Sequence, residues 1–249
     1  MAVLKGGRAP TGRRILVIEN ESGGRPAQLQ DAANDAGLEL DVRAAATDPI
    51  PERLEDEAGL VVLGASYDVS DAERWPHLFR VMDLIRESAA TDRPALGICL
   101  GGQLAAHALG GRVERGSRGP EIGWLPVRAT EEGAGDPLAE AVGDGTPLLQ
   151  WHHDVFTPPP GSVRVLTSDG YPNQGFRLGS VWGIQAHPEA DQEIIAEWCR
   201  SAGAAADLER AGLSAEDLVG PAAEHSTGAR RILDAWCRLA AATERRPRT

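Results

Sequence analysis

The chain has no run approaching the roughly 18 consecutive apolar residues that a membrane-spanning helix needs. Its start, MAVLKGGRAPTGRR, carries no apolar core of signal-peptide length. These two absences predict a cytoplasmic protein with no membrane partner. Cysteine is scarce: Cys99, Cys199 and Cys237 are odd in number and far apart. They exclude a disulfide framework and a CxxC zinc site and leave at least one thiol free. Basic charge is also short, with 25 Lys and Arg against 37 Asp and Glu and a formal net charge of -12. Such a surface repels phosphates, so sequence-independent nucleic-acid binding is excluded and a small molecule or a protein is the expected partner. The short basic clusters Arg13-Arg14 and Arg245-Arg246 with Arg248 read as solvated ends. Neither G-x-x-x-x-G-K-[ST] nor G-x-G-x-x-G occurs, so nothing points to ATP or NAD and no cofactor is expected.

What is present fits one large α/β unit of 249 residues, with 42% apolar and 25% charged residues. Residues 1–12 read as a loose leader rich in Gly, Pro and basic side chains. Arg14-Ile15-Leu16-Val17-Ile18 follows as a continuous apolar run, the pattern of a parallel strand covered on both faces. Leu60-Val61-Val62-Leu63 and Pro94-Ala95-Leu96-Gly97-Ile98 share it. Helical patterns lie between them at about 26–37 and 74–90, the second with Leu78, Val81, Met82 and Ile85 on one face. Strand and helix alternate, which predicts a doubly wound, mostly parallel central sheet that binds ligands at the carboxyl ends of its strands. From about 111 to 186, short β-rich segments at Ile122–Val127, Val163–Leu166 and Val181–Ile184 extend the sheet and add hairpins. The α/β domain is expected over 13–190, with 191–249 as a helical extension packed on it. Two amphipathic stretches mark that extension, around Ile194, Ile195 and Trp198 and around Ile232, Leu233 and Trp236, with a loop or short helix near Gly220-Pro221. Of the six tryptophans, Trp198 and Trp236 are expected to pin these helices.

Gly97-Ile98-Cys99-Leu100-Gly101 places G-x-C-x-G between a buried strand and a helix. A sharp strand-to-helix turn needs small neighbours, which Gly97 and Gly101 supply, and it lifts the central side chain above the sheet edge. At a helix amino terminus, free N–H groups and the helix dipole favour an anionic sulfur on Cys99, and the Leu100 N–H is placed to meet an oxyanion. Alone, the pentapeptide also fits a structural cysteine in a glycine-rich turn. A thiol nucleophile needs a base and an orienting group. Gln185-Ala186-His187-Pro188-Glu189 offers both: His187 leaves the strand Val181–Ile184, Pro188 ends that strand, and Glu189 can fold back onto the imidazole. H-P-E alone also fits a plain turn.

At these residues the sequence resembles the class I, or triad, glutamine amidotransferases, whose G-x-C-x-G-x-Q and downstream H-P-E are matched in order and spacing over roughly residues 14 to 190. Glu121-Ile122-Gly123-Trp124 and Asn173-Gln174-Gly175-Phe176-Arg177 look like a stand-alone branch similar to the amidotransferase domain of GMP synthetase. The resemblance implies a Cys99–His187–Glu189 triad that hydrolyses the glutamine side-chain amide through a thioester. It also implies oxyanion donors at Leu100 and Ala65, and contacts to the glutamine amino and carboxylate groups from Gln103 and, largely through backbone, His153 and Asp154. It implies a separate synthetase partner that takes the ammonia. Gly64-Ala65-Ser66 stands in the place of the family's G-G-P loop, and Ala186 in the place of an aromatic residue. These departures suggest a shifted oxyanion loop and extra room beside His187 for a larger γ-glutamyl substrate.

Two rival readings use the same residues: a stand-alone γ-glutamyl hydrolase acting on γ-glutamyl peptides or conjugates, and a catalytically silent regulatory subunit. The intact Cys99, His187 and Glu189 argue against the second. A metal site at His152, His153, Asp154, His187 and Glu189 is not expected, because adjacent residues on a strand point to opposite faces. His107 reads as a helix-packing or surface residue, His77 and His225 as exposed, and Cys199 and Cys237 as small core residues.

Overall fold

The computed structural model describes residues 12–243. The expected leader lies outside the described residues apart from Gly12, and Arg245, Arg246 and Arg248 lie outside them too. Apart from β2, inserted between α1 and β3, the first half alternates as its hydrophobic pattern predicts: β1 (Arg13–Glu19), α1 (Gln28–Asp35), β2 (Leu38–Ala44), β3 (Gly59–Val62), α2 (His77–Thr91), β4 (Ala95–Ile98) and α3 (Leu100–Ala108). The second half supplies β5 (Arg112–Arg115), β6 (Glu121–Ala129), α4 (Pro137–Val142), β7 (Asp144–His152), β8 (Asp154–Thr157), β9 (Val163–Thr167), β10 (Gly175–Leu178) and β11 (Val181–Ile184). Four helices follow, α5 (Gln192–Trp198), α6 (Ala204–Ala211), α7 (Ala215–Val219) and α8 (Ala222–Ala242), where the sequence suggested two stretches.

One nine-stranded sheet runs β2-β1-β3-β4-β11-β10-β9-β6-β7, and β5 pairs with β8 apart from it. The strands from β2 through β11 pair in parallel, and those from β11 to β7 antiparallel. Alternation along β1 shows why its run is apolar throughout. Ile15 and Val17 face α1 and α8, packing with Leu29, Ile232 and Trp236. Leu16 and Ile18 face α2 and α3, packing with Leu78, Ile85 and Leu104. β2 was not legible in the sequence because it is an edge strand whose residues, Leu38 apart, are not fully buried, so Glu39, Asp41 and Arg43 interrupt its apolar run.

α8 belongs to the core of the α/β body. Trp236 is fully buried, and a Cβ on Gly59 would come 2.9 Å from its ring. Arg13 of β1 donates to the carbonyls of Ala240, Ala241 and Thr243, so it satisfies orphan groups at the end of α8 instead of lying solvated. Trp236→Ala is expected to cost about 3 to 5 kcal/mol of stability, read as a drop in the urea midpoint at unchanged slope. The smaller helices α5 and α7 cover β6 and β7 through Ile194, Ile195 and Leu218, against Ile122 and Leu149.

Candidate active site

β4 ends at Ile98 and α3 begins at Leu100, leaving Cys99 alone to turn the chain. Its φ of 51° and ψ of -111° are sparsely populated for a residue with a Cβ. Packing on both sides imposes this geometry. A Cβ on Gly97 would fall 2.2 Å from the Gly101 carbonyl oxygen, and one on Gly101 would fall 2.0 Å from that of Val62. Only glycine lets α3 start this close to β3 and β4. The Cys99 N–H donates to Ile184 at 2.9 Å, which ties the elbow to the neighbouring strand.

β11 lies beside β4 with Ile184 opposite Ile98, so the segment after Ile184 leaves the sheet where Cys99 stands. His187 Nδ1 is 2.8 Å from Glu189 Oε1, and both side chains are buried. A carboxylate there requires Nδ1 to donate, which leaves Nε2 for the sulfur. Burial alone would push the His187 pKa down. The charges of Glu189 and Cys99 and their hydrogen bonds outweigh it and raise the value to about 10. Trp198 meets His187 edge to face at 4.7 Å, and Trp151 meets Trp198 at 6.3 Å, so two aromatic rings shield the pair. From the other side, Gln28 at the start of α1 donates to the carbonyls of Pro188 and Ala190 at 3.0 and 3.2 Å.

Cys99, His187 and Glu189 open onto a cleft of about 580 Å³ that Ala65, Leu100, Gln103, His153 and Asp154 also line. Ala65 has an ordinary negative φ, so replacing glycine leaves a usable backbone donor. Ser66 makes two bonds that proline would not: its N–H and hydroxyl donate to Glu21 at 2.7 and 2.9 Å. Tyr67 donates to the Asn20 carbonyl at 2.8 Å, and Asn20 to that of Leu63 at 2.7 Å. The loop after β3 is thereby laced to the loop after β1.

Gln103 Nε2 donates to the Asp154 carbonyl at 3.0 Å, which also faces His152 Nδ1 at 3.0 Å. The His153 carbonyl accepts from Gly116 at 2.9 Å. Both carbonyls thus take part in the bonding that holds this segment, and His153 and Asp154 line the cleft beside Gln103. Arg115 sits between them, bonded to His153 and 3.4 Å from the Asp154 carboxylate. Asp207 of α6 closes the row at 2.9 Å from His153 Nε2 and 3.2 Å from Trp151 Nε1. His152, the last residue of β7, points inward to Glu121 at 3.0 Å, while His153, in the bend between β7 and β8, turns to Arg115 and Asp207. Among the described residues no group of three or more His, Cys, Asp or Glu is arranged to hold a metal ion.

Three expectations need correction. Ala186 does not widen the site: it is buried in the core with Leu96 and Ile98 and is absent from the cleft, while Trp198 supplies the ring beside His187. His77 and His225 are half-buried, His77 3.0 Å from the Tyr67 hydroxyl and His225 against Trp124. Cys199 is half-buried, whereas Cys237 is a core residue and His107 is exposed. Sequence reasoning missed Gln28, Glu21, Arg115 and Asp207, which reach the site from distant segments with no motif around them. It also passed over Gln185, for which a signal was present: it lies two residues before His187 on an extended chain and so shares its face.

The profile of the family described as glutamine amidotransferase class-I matches residues 18–195. One subunit of the glutamine-hydrolyzing GMP synthase of Haloarcula marismortui is 35% identical over 71% of this chain and 85% of its own length. Gamma-glutamyl peptidase 2 of Arabidopsis thaliana is 29% identical over 60% of each chain. A crystal structure of a glutamine amidotransferase from Thermotoga maritima superposes with a TM-score of 0.83 at 27% identity, covering 94% of this chain and all of that one. No helix among the described residues is long and apolar enough to cross a membrane. With this profile match, and with the elbow and the His–Glu pair at the ends of adjacent parallel strands, the chain belongs to the class I glutamine amidotransferase family.

Proposed function

We propose that the chain hydrolyses the side-chain amide of glutamine through a thioester on Cys99 and passes the ammonia to a separate synthetase. The observation that carries this reading is the Cys99 elbow facing a His187–Glu189 pair 2.8 Å apart. The thiolate attacks the carboxamide carbon, and the N–H groups of Leu100 and Ala65 receive the oxyanion, each donor contributing about 3 kcal/mol. His187 gives its proton to the departing nitrogen, releasing ammonia. It then takes a proton from water, the resulting hydroxide attacks the thioester, and glutamate leaves as the thiolate re-forms. Glutamine enters as a zwitterion. Arg115, the one Arg or Lys among the described residues lining the cleft, suits its carboxylate, and Asp154 suits its ammonium.

The similarity to one subunit of a glutamine-hydrolyzing GMP synthase agrees with a synthetase partner. A second reading, hydrolysis of γ-glutamyl peptides, has its own support. The cleft of about 580 Å³ continues past Cys99 to a wall made by Glu197, Trp198, Ser201, Ala202, Ala204 and Asp207. That wall lies beyond the matched segment 18–195. Measuring glutamate release from glutamine and from a panel of γ-glutamyl peptides decides between them. Turnover of free glutamine is expected; release from the peptides alone would establish the second reading, and release from neither by folded protein would reject both.

A further inference from the structure

We infer that Gln185 holds the Cys99 thiolate by donating an amide N–H to its sulfur, a role that rests on Cys99 being the nucleophile. Gln185 and His187 leave β11 two residues apart and so share a face, while Ala186 between them is buried in the core with Leu96 and Ile98. The Gln185 side chain is fully buried, with Nε2 3.7 Å from Cys99 Sγ. Its Oε1 has no hydrogen-bond partner among the described residues. It does not line the cleft, so it meets the sulfur from the side away from substrate.

A buried amide with an unpaired oxygen is a poor filler, and methionine would occupy the same volume with no polar atom to satisfy. What the amide supplies is a donor aimed at sulfur. As a thiol, Cys99 has an acceptor in the Trp151 carbonyl 3.9 Å away. As a thiolate it can only accept, and its side-chain donors are then His187 and Gln185. His187 must surrender its proton to the leaving group, whereas Gln185 keeps its N–H throughout. A neutral donor also leaves the charge balance of Cys99, His187 and Glu189 unchanged.

The test is the pH profile of Cys99 alkylation by iodoacetamide, followed by intact mass on the full chain, for wild type, Gln185→Met and Gln185→Glu. Loss of a hydrogen bond to a charged group should move the acid limb of the Met variant up by about one pH unit. The rate at neutral pH should fall about tenfold and the high-pH plateau should be unchanged. Gln185→Glu should move the limb further, because a carboxylate beside sulfur repels the thiolate, and it carries the comparison if the Met variant does not fold. A limb that stays in place while the plateau drops, or no change at all, would reduce Gln185 to a packing residue. Inert Cys99 in the wild type would overturn the proposed hydrolysis itself.

Discussion

Cys99→Ala is expected to lower glutamate release at least about a thousandfold while leaving the fold intact. The fold should survive because the sulfur contributes little to packing: its contacts with Trp151 and Gln185 are long, at 3.9 and 3.7 Å. The strained turn is held by Gly97, Gly101 and the Cys99–Ile184 backbone bond, none of which the substitution touches. On the proposed route the substitution removes the sulfur that would carry the acyl group, whereas the N–H groups of Ala65 and Leu100, proposed to receive the oxyanion, remain. Residual activity would be what those donors and substrate binding supply. Cys99→Ser should be nearly as inactive, since a hydroxyl is far less ionised at the same position. An electrophilic glutamine analogue should label Cys99 and spare the other thiols. Burial pushes Cys237 up to about 12 and raises Cys199, so both stay protonated. A Cys99→Ala protein that still releases glutamate would reject the thioester route.

The part of this site legible in the sequence is the part built from local chain geometry. The elbow is readable because Gly97 and Gly101 must be glycine for α3 to start against β3. The His187–Glu189 pair is readable because two residues of separation across a proline let a side chain fold back on its neighbour. The parallel half of the sheet is readable because strands buried on both faces carry unbroken apolar runs. Edge strands are not, since their polar residues mask the period, as β2 shows, and the stretch that forms α6 and α7 reads only as a loop or short helix. The walls of the cleft are unreadable for another reason: Glu21, Arg115, Trp198 and Asp207 come from four separate segments and meet only after the chain has folded. Ala186 shows the same limit. Absence of an aromatic residue there suggested open space, but the ring beside His187 comes from Trp198, in α5.

Glu189→Gln should lower kcat between about a hundredfold and ten-thousandfold with a much smaller change in KM. The amide keeps the shape and can still accept from His187 Nδ1, so the geometry survives and the charge is lost. That charge, with the Cys99 sulfur, is what holds the buried imidazolium against desolvation and raises its pKa from 6.5 to about 10. Without it the proton leaves at lower pH, so the basic limb of kcat/KM should move down while the acid limb is less affected. Stability follows the same sign. A value raised in the folded state means that the pair's contribution is fully present below 6.5 and is lost as pH rises through about 10. Denaturant midpoints of wild type and Glu189→Gln should therefore differ most just on the acid side of neutrality and converge in strong alkali. Equal pH profiles for the two proteins would mean that Glu189 does not sustain the imidazolium, and the base would have to be oriented by its aromatic neighbours alone.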